Sequence, residues 1–432
     1  MPQYDSYTDS QIPYVGLIPS HWKTVQNKRV MHKEKRICTS YAGQDIISLT
    51  MNGVIVRDLG AGGKMPATFD GYQFVYPGEL LMCLFDIDVT PRCVGKVYNE
   101  GLTSPAYSSF ILHDNADLGF YYFYYLMLDH TKELLHLAKN LRHSLTEEQL
   151  GQIKVPLPPL LEQHAIAAFL DKKVAHIDSL IAEAKASIEE YKSWKASIIY
   201  EAVTKGLDSN VEMKDSGVEW IGEIPSSWDV MRLKNVISFI ESGVSVNAAQ
   251  TPANEGGIGV LKTSSVSKYS FRPEENKEVN SEELGRVSCP VKANTIIVSR
   301  MNTPELVGAC GFVEQDWPNL FLPDRLWQVH FVKSVNVKYV WYYLCSNYIK
   351  SYYASLSSGT SSSMQNISQG QFENAYLMLP PYEVQKELVD YLDKKCSAID
   401  SLVFEKEALV SDLEAYKKSL IFEVVTGKRR VC

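Results

Sequence analysis

The chain has 432 residues, 45% of them hydrophobic and 22% charged, with a formal net charge of −8. That is enough for two or more domains with cores of their own, and it excludes a disordered or low-complexity chain. No apolar run approaches the ~18 residues of a membrane span, the eight cysteines show no CxxC spacing, and the acidic balance does not advertise a nucleic-acid partner. The opening MPQYDSYTDSQ has no basic-then-apolar signal pattern. A reduced, cytoplasmic setting is expected.

Residues 9–30, DSQIPYVGLIPSHWKTVQNKRV, form a box with a rigid IPSxW turn. Its tryptophan reads as a packing residue that opens a domain. Region 31–156 follows, with short strand patterns at 44–50, 79–85 and 94–98 and an aromatic helical stretch at 119–138. At that density most of the tyrosines belong to a core.

A long helix is predicted over 157–204. Pro158 and Pro159 precede its start, where a missing N–H costs nothing. No Pro or Gly then occurs until Gly206. Leu170, Val174, Ile177, Ile181, Ala184, Ile188, Tyr191, Ile198 and Ala202 form a heptad seam. At ~1.5 Å per residue the helix reaches about 65 Å, which calls for a partner helix.

After a short polar linker, 205–214, the order repeats. Residues 215–236, DSGVEWIGEIPSSWDVMRLKNV, match the box at a shift of 206. Region 237–378 has strand patterns at 295–299, 306–313 and 326–332 and an aromatic helical stretch at 339–354. Residues 379–426 match 157–204 without a gap at a shift of 222, with 20 of 48 positions identical. Lys195 and Lys417 fall at equivalent seam positions, where a polar residue either fixes register or points outward. The two variable regions show no obvious likeness in sequence.

The doubled arrangement, with LPPLLEQ (157–163) and LPPYEVQ (379–385) each leading a long helix and an IPSxW box opening each half, resembles the specificity subunit of type I restriction–modification systems. The resemblance covers essentially the whole chain. SLTMNGVIVRD (48–58), LTSPAYSSF (102–110), SRMNTPELVG (299–308) and LPDRLWQVHF (322–331) are similar to recurrent recognition-domain segments. It implies an α+β chain with an internal pseudo-twofold repeat. Two mixed α/β target-recognition domains are separated by two long antiparallel coiled-coil helices. The domains are then 1–156 and 215–378, the helices 157–204 and 379–432. The resemblance also implies that each variable domain reads half of an asymmetric bipartite DNA site. The helices would set the spacing and dock methyltransferase (modification) and motor–nuclease (restriction) subunits. The chain itself would be non-catalytic, with ATP, Mg2+ and S-adenosylmethionine belonging to those partners.

Region 31–156 holds 11 Lys plus Arg against 14 Asp plus Glu, and region 237–378 holds 11 against 12. Phosphate contacts must therefore come from local clusters. Arginine suits guanine and Asn or Gln suits adenine. The candidates in the first region are Arg57, Lys64 in the GAGGK turn, Arg92, Lys96, Arg142 and Ser144. In the second they are Lys262, Ser264, Arg300, Asn302, Thr303 and Arg325, with Gln365 and Asn366 in the 357–366 loop. Each, taken singly, also reads as an ordinary solvated surface residue.

Rival chemistry is weak. LPPY (379–382) has Leu379 where an amino-methyltransferase motif needs a polar acceptor, and GAGGKM (60–65) lacks phosphate-loop spacing. His130, His136 and His143 show no HExxH-type pattern. The competing reading is a coiled-coil scaffold with two ligand-binding lobes that never touches DNA, which the acidic charge favours and the framework repeats oppose.

Overall fold

The structure, a computed structural model, describes residues 3–61, 66–90, 92–138, 143–218, 221–361 and 364–431. The chain forms two compact units, 1–185 with 407–432, and 186–406. Each contains one variable region and part of both long helices.

The uninterrupted heptad stretches fold as single helices, Leu160–Lys205 and Tyr382–Val425. Both stop at a glycine in the left-handed region, Gly206 (φ 77°) and Gly427 (φ 71°), which suits a residue without Cβ. In the first unit the helix segments run antiparallel, with Asp178 against Lys417 and Lys185 against Glu414. The apolar seam buries Ile166, Leu170, Ile177 and Ile181 with Leu420, Ile421 and Val424. In the second unit Ile198, Ala202 and Val203 pack in one core with Leu388, Leu392, Cys396 and Ile399. The seam lysines neither sit unpaired nor simply snorkel. Lys195 Nζ lies 2.7 Å from Asp400, and Lys417 Nζ lies 2.6 Å from Asp178, the same pair one repeat apart.

The variable regions share one topology despite their unlike sequences. In the first unit an antiparallel sheet has the order Met31–Glu34, Tyr107–Leu112, Leu80–Cys83, Val94–Lys96. In the second the order is Ile237–Ser242, Leu326–Phe331, Thr295–Ser299, Cys310–Val313. The third strand of each, LLMC or TIIVS, is buried at every position, as expected of an apolar strand with neighbours on all sides. A second sheet accompanies each. One runs Gly53–Val56, Ile46–Thr50, Gly101–Thr103, Gln73–Val75; the other runs Asn276–Glu278, Gly259–Leu261, Trp317–Phe321, Pro290–Val291. Their central pairs are both parallel.

The aromatic stretches become helices Leu118–His130 and Glu133–Leu137 in the first unit, and Val337–Leu344 and Asn347–Leu356 in the second. Tyr121, Tyr124, Tyr125, Tyr339, Tyr343 and Tyr353 are fully buried, so this density of tyrosine is core. Trp22 and Trp228 are buried too.

The LPP…Q motif is more than a helix start. Gln163 is fully buried; its Oε1 accepts from Asp117 N and its Nε2 donates to Asn115 O and Pro158 O. Gln385 does the same for Asn336 N and Pro380 O. Each amide thereby ties the long helix to the start of an aromatic helix. Capping boxes at Thr146–Gln149 and Ser368–Gln371 extend the 222-residue repeat upstream of the prolines.

Candidate nucleic-acid interface

In both units the chain leaving the fully buried third strand runs against the segment just before the capping-box helix. In the first unit Leu145 N donates to Leu84 O and Ile87 N to His143 O. In the second, Ile367 N donates to Arg300 O. The same junction therefore presents residues 84–90 with Ser144 in one unit, and residues 300–306 with Gln365 and Asn366 in the other.

The second unit gathers its candidates best. Met301–Asn302 pairs with Met364–Asn366, which pairs with Ser358–Ser361, so the Gly/Ser-rich stretch is partly a strand hairpin. Asn302 lies opposite Gln365 and Met301 opposite Asn366. Cross-strand partners share a face, so Asn302 and Gln365 stand side by side. Thr303 N donates to Asn302 Oδ1 at 2.9 Å. Arg300 N donates to Arg325 O, which brings the two arginines to one corner. Arg325 is exposed. Arg300 Nε and Asn366 Oδ1 are buried without a hydrogen-bond partner among the described residues. Such atoms are costly to leave unmatched.

Lys262 and Ser264 lie in a different loop, which joins Gly259–Leu261 to Asn276–Glu278. Ser264 Oγ donates to Glu275 at 2.6 Å, and Lys262 and Arg272 lie 3.8 and 3.5 Å from the same carboxylate. The Ser264 hydroxyl, helped by Arg272, Lys262 and Lys268, holds the Glu275 carboxyl below its usual range.

The first unit disperses its candidates. Arg92 Nη1 donates to Met51 O at 2.8 Å, Nε donates to Val94 O, and Nη2 donates to Tyr122 Oη. Lys96 Nζ lies 2.9 Å from Asp171 on the long helix and 4.8 Å from the Tyr122 ring centroid. Burial pulls the Lys96 ammonium down, and the Asp171 contact more than offsets it, so its pKa stands above the usual lysine value. Arg57 lies at the base of its hairpin, with Arg57 N donating to Ile46 O, while Arg92 meets the tip at Met51. Lys64 and Arg142 lie outside the described residues.

One anchor was not legible in advance. Asp393, one repeat on from Asp171, also binds a lysine, Lys338 Nζ, at 2.9 Å. The acid recurs on the helix while its base comes from unlike places in the two variable regions.

A model of the type I restriction modification DNA specificity domain matches residues 94–190 and 225–407, more than half of the chain. The chain belongs to this family. It is 29% identical over 282 residues to the MjaVIII specificity subunit of Methanocaldococcus jannaschii, covering 65% of this chain and 63% of that one. To the EcoEI specificity subunit of Escherichia coli it is 28% identical over 182 residues, 42% of this chain and 31% of that one. The chain thus spans between about a third and two thirds of the length of these curated relatives. A solved chain from work on complex assembly and conformational transition of the type I R-M system has the same fold. Its TM-score is 0.67, with 16% identity over 94% of this chain and 98% of that one. No helix among the described residues is long and apolar enough to cross a membrane.

Proposed function

We propose that this member of the specificity family is the DNA sequence-recognition subunit of a type I restriction–modification complex. Each variable region, within 1–156 and 215–378, reads one half of an asymmetric bipartite site in double-stranded DNA. The observation that carries this reading is the shared two-sheet frame, which presents unlike side chains at the same junction in each unit. A frame held constant while its edge residues differ suits two readers of two sequences. In the second unit Arg300 and Arg325 suit guanine, and Asn302, Gln365 and Asn366 suit adenine. Thr303 supports Asn302. Lys262 and Ser264 suit phosphate.

The chain is non-catalytic in this reading. The paired helices, 157–204 and 379–432, set the half-site spacing and dock methyltransferase and motor–nuclease subunits in the cytoplasm. ATP, Mg2+ and S-adenosylmethionine act on those subunits. Exchanging 31–156 for another family member's region should change one half of the methylated motif and leave the other intact. A motif changed in both halves, or in neither, refutes modular reading.

A further inference from the structure

The two units differ in the chemistry of their reading ends. Arg300, Asn302 and Thr303 follow the buried third strand in the second unit. The first unit has FDIDVT there, with Phe85 42% and Val89 73% exposed. The neighbouring connection repeats the contrast. Between the first two strands of the accompanying sheet the second unit carries Lys262, Ser264, Lys268 and Arg272. The first unit has a tight hairpin whose tip is Met51, 65% exposed. Arg92 spans tip and loop through its bond to Met51 O.

This apolar edge is rigidly presented. Asp86 adopts φ 48°, and its carbonyl accepts from Val89 N, Thr90 N and Thr90 Oγ1. Thr90 Oγ1 also reaches Phe85 O. Ile87, 1% exposed, plugs the loop into the core between its exposed neighbours. A loop fixed this firmly holds Phe85 and Val89 in water at a cost that a partner surface would remove.

We propose that the first unit reads its half-site by apolar contact with base edges, chiefly thymine 5-methyl groups, through Met51, Phe85 and Val89. This rests on the DNA-recognition reading above. The loop occupies the place that amides and arginines take in the other unit, so its occupant is the same duplex. Thymine is the base that offers an apolar group in the major groove. Exposed Asp88 beside Val89 would repel a phosphate, which favours the groove over the backbone; its carboxylate suits the amino group of cytosine.

The test uses the assembled complex on duplexes carrying its methylated motif, with the half read by 31–156 identified by region exchange. Thymines in that half are replaced by uracil, which removes only the methyl. The expected loss of affinity is about fourfold per contacted methyl, with no comparable loss for uracil in the other half. Met51→Ala with Val89→Ala should reduce the uracil sensitivity. Equal affinity for thymine and uracil duplexes overturns apolar readout while leaving modular recognition intact, because the region exchange still moves one half. An alanine pair that weakens subunit assembly but leaves motif and uracil sensitivity unchanged also overturns it, making the patch a protein-docking surface. A complex without sequence-specific duplex binding overturns both readings.

Discussion

Around the loop that follows the buried third strand, the first unit presents Met51, Phe85 and Val89, the second Arg300, Asn302, Thr303 and Gln365. Behind those edges the units are built alike: same sheet order, same buried glutamine, same capping box, same lysine–aspartate seam pair. The contrast separates two kinds of constraint. A glutamine that satisfies backbone groups from two elements has no substitute of the same shape, so it recurs at a fixed offset. A strand needs only apolar side chains of fitting volume on its buried faces, so LLMC and TIIVS serve one role without sharing a pattern of identities. Edge loops carry neither demand and are free to differ.

The glutamine brackets give the largest expected effect. Gln163→Leu deletes three hydrogen bonds and leaves Asp117 N, Asn115 O and Pro158 O without it, at a cost of about 3 kcal/mol. Gln385→Leu removes two bonds and costs about 2 kcal/mol. Denaturant unfolding with hydrogen exchange resolved by unit should show each loss in its own unit; losses spread over both units would break the comparison.

The first unit carries a pH effect that rests on one buried histidine. Burial pushes His130 down to about 4, opposed by Asp129 and helped by Lys418, Lys417 and Arg92. The unfolded imidazole takes up its proton below ~6.5, and the folded one only near 4. The folded state therefore loses stability as pH falls through that window, by roughly 3 kcal/mol in all. His130→Gln should flatten the slope between pH 6.5 and 4. An unchanged slope would show that other groups produce it.

The two helix-ending glycines sharpen the comparison further. A Cβ on Gly427 would overlap the Pro19 ring and press on Trp22, whereas on Gly206 it would sit 3.3 Å from Trp228. Both also carry the left-handed strain. Gly427→Ala should cost about 2 kcal/mol and Gly206→Ala about 1 kcal/mol in thermal or denaturant unfolding. The first joint is also held by Lys428 Nζ, which donates to Val15 O and Leu17 O. At the second joint the chain continues directly into the box. Equal costs would mean that the noncovalent joint yields as readily as the covalent one.

What the sequence made legible follows from these constraints. The long helices and boxes show through as repeats because their identities are fixed by packing. The buried strands at 79–85 and 295–299 stand out as continuous apolar runs, although the first ends at Cys83 and releases Phe85 to solvent. The outer strands Met31–Glu34 and Ile237–Ser242 did not stand out, because an edge strand carries charged and polar residues on its open face. The common topology of the variable regions lay below any identity pattern, though T/S-x-x-Q at 146 and 368 was there to be read. The candidates Arg300, Asn302, Thr303, Gln365 and Asn366 were chosen for their residue chemistry, and the fold brings them to one place because Met301–Asn302 pairs with Met364–Asn366. The exposure of Met51, Phe85 and Val89 was not legible, since an apolar residue reads as core until the fold shows it exposed.

The smallest effect tests the symmetry of the frame itself. Lys195–Asp400 and Lys417–Asp178 are one pair repeated, with lysine side chains 30% and 23% exposed and aspartates more than half exposed. Such pairs are solvated, so the Coulomb gain is small and screened. A double-mutant cycle on each, with Lys→Ala and Asp→Ala, should return a coupling of about 0.5 kcal/mol that falls with added salt. The two values should agree within about 0.3 kcal/mol, because geometry and exposure match. A coupling several times larger in one unit would mean that its lysine is desolvated by something the other lacks. The seam would then carry a difference between the units, and the contrast in the loops after the third strands would no longer stand alone.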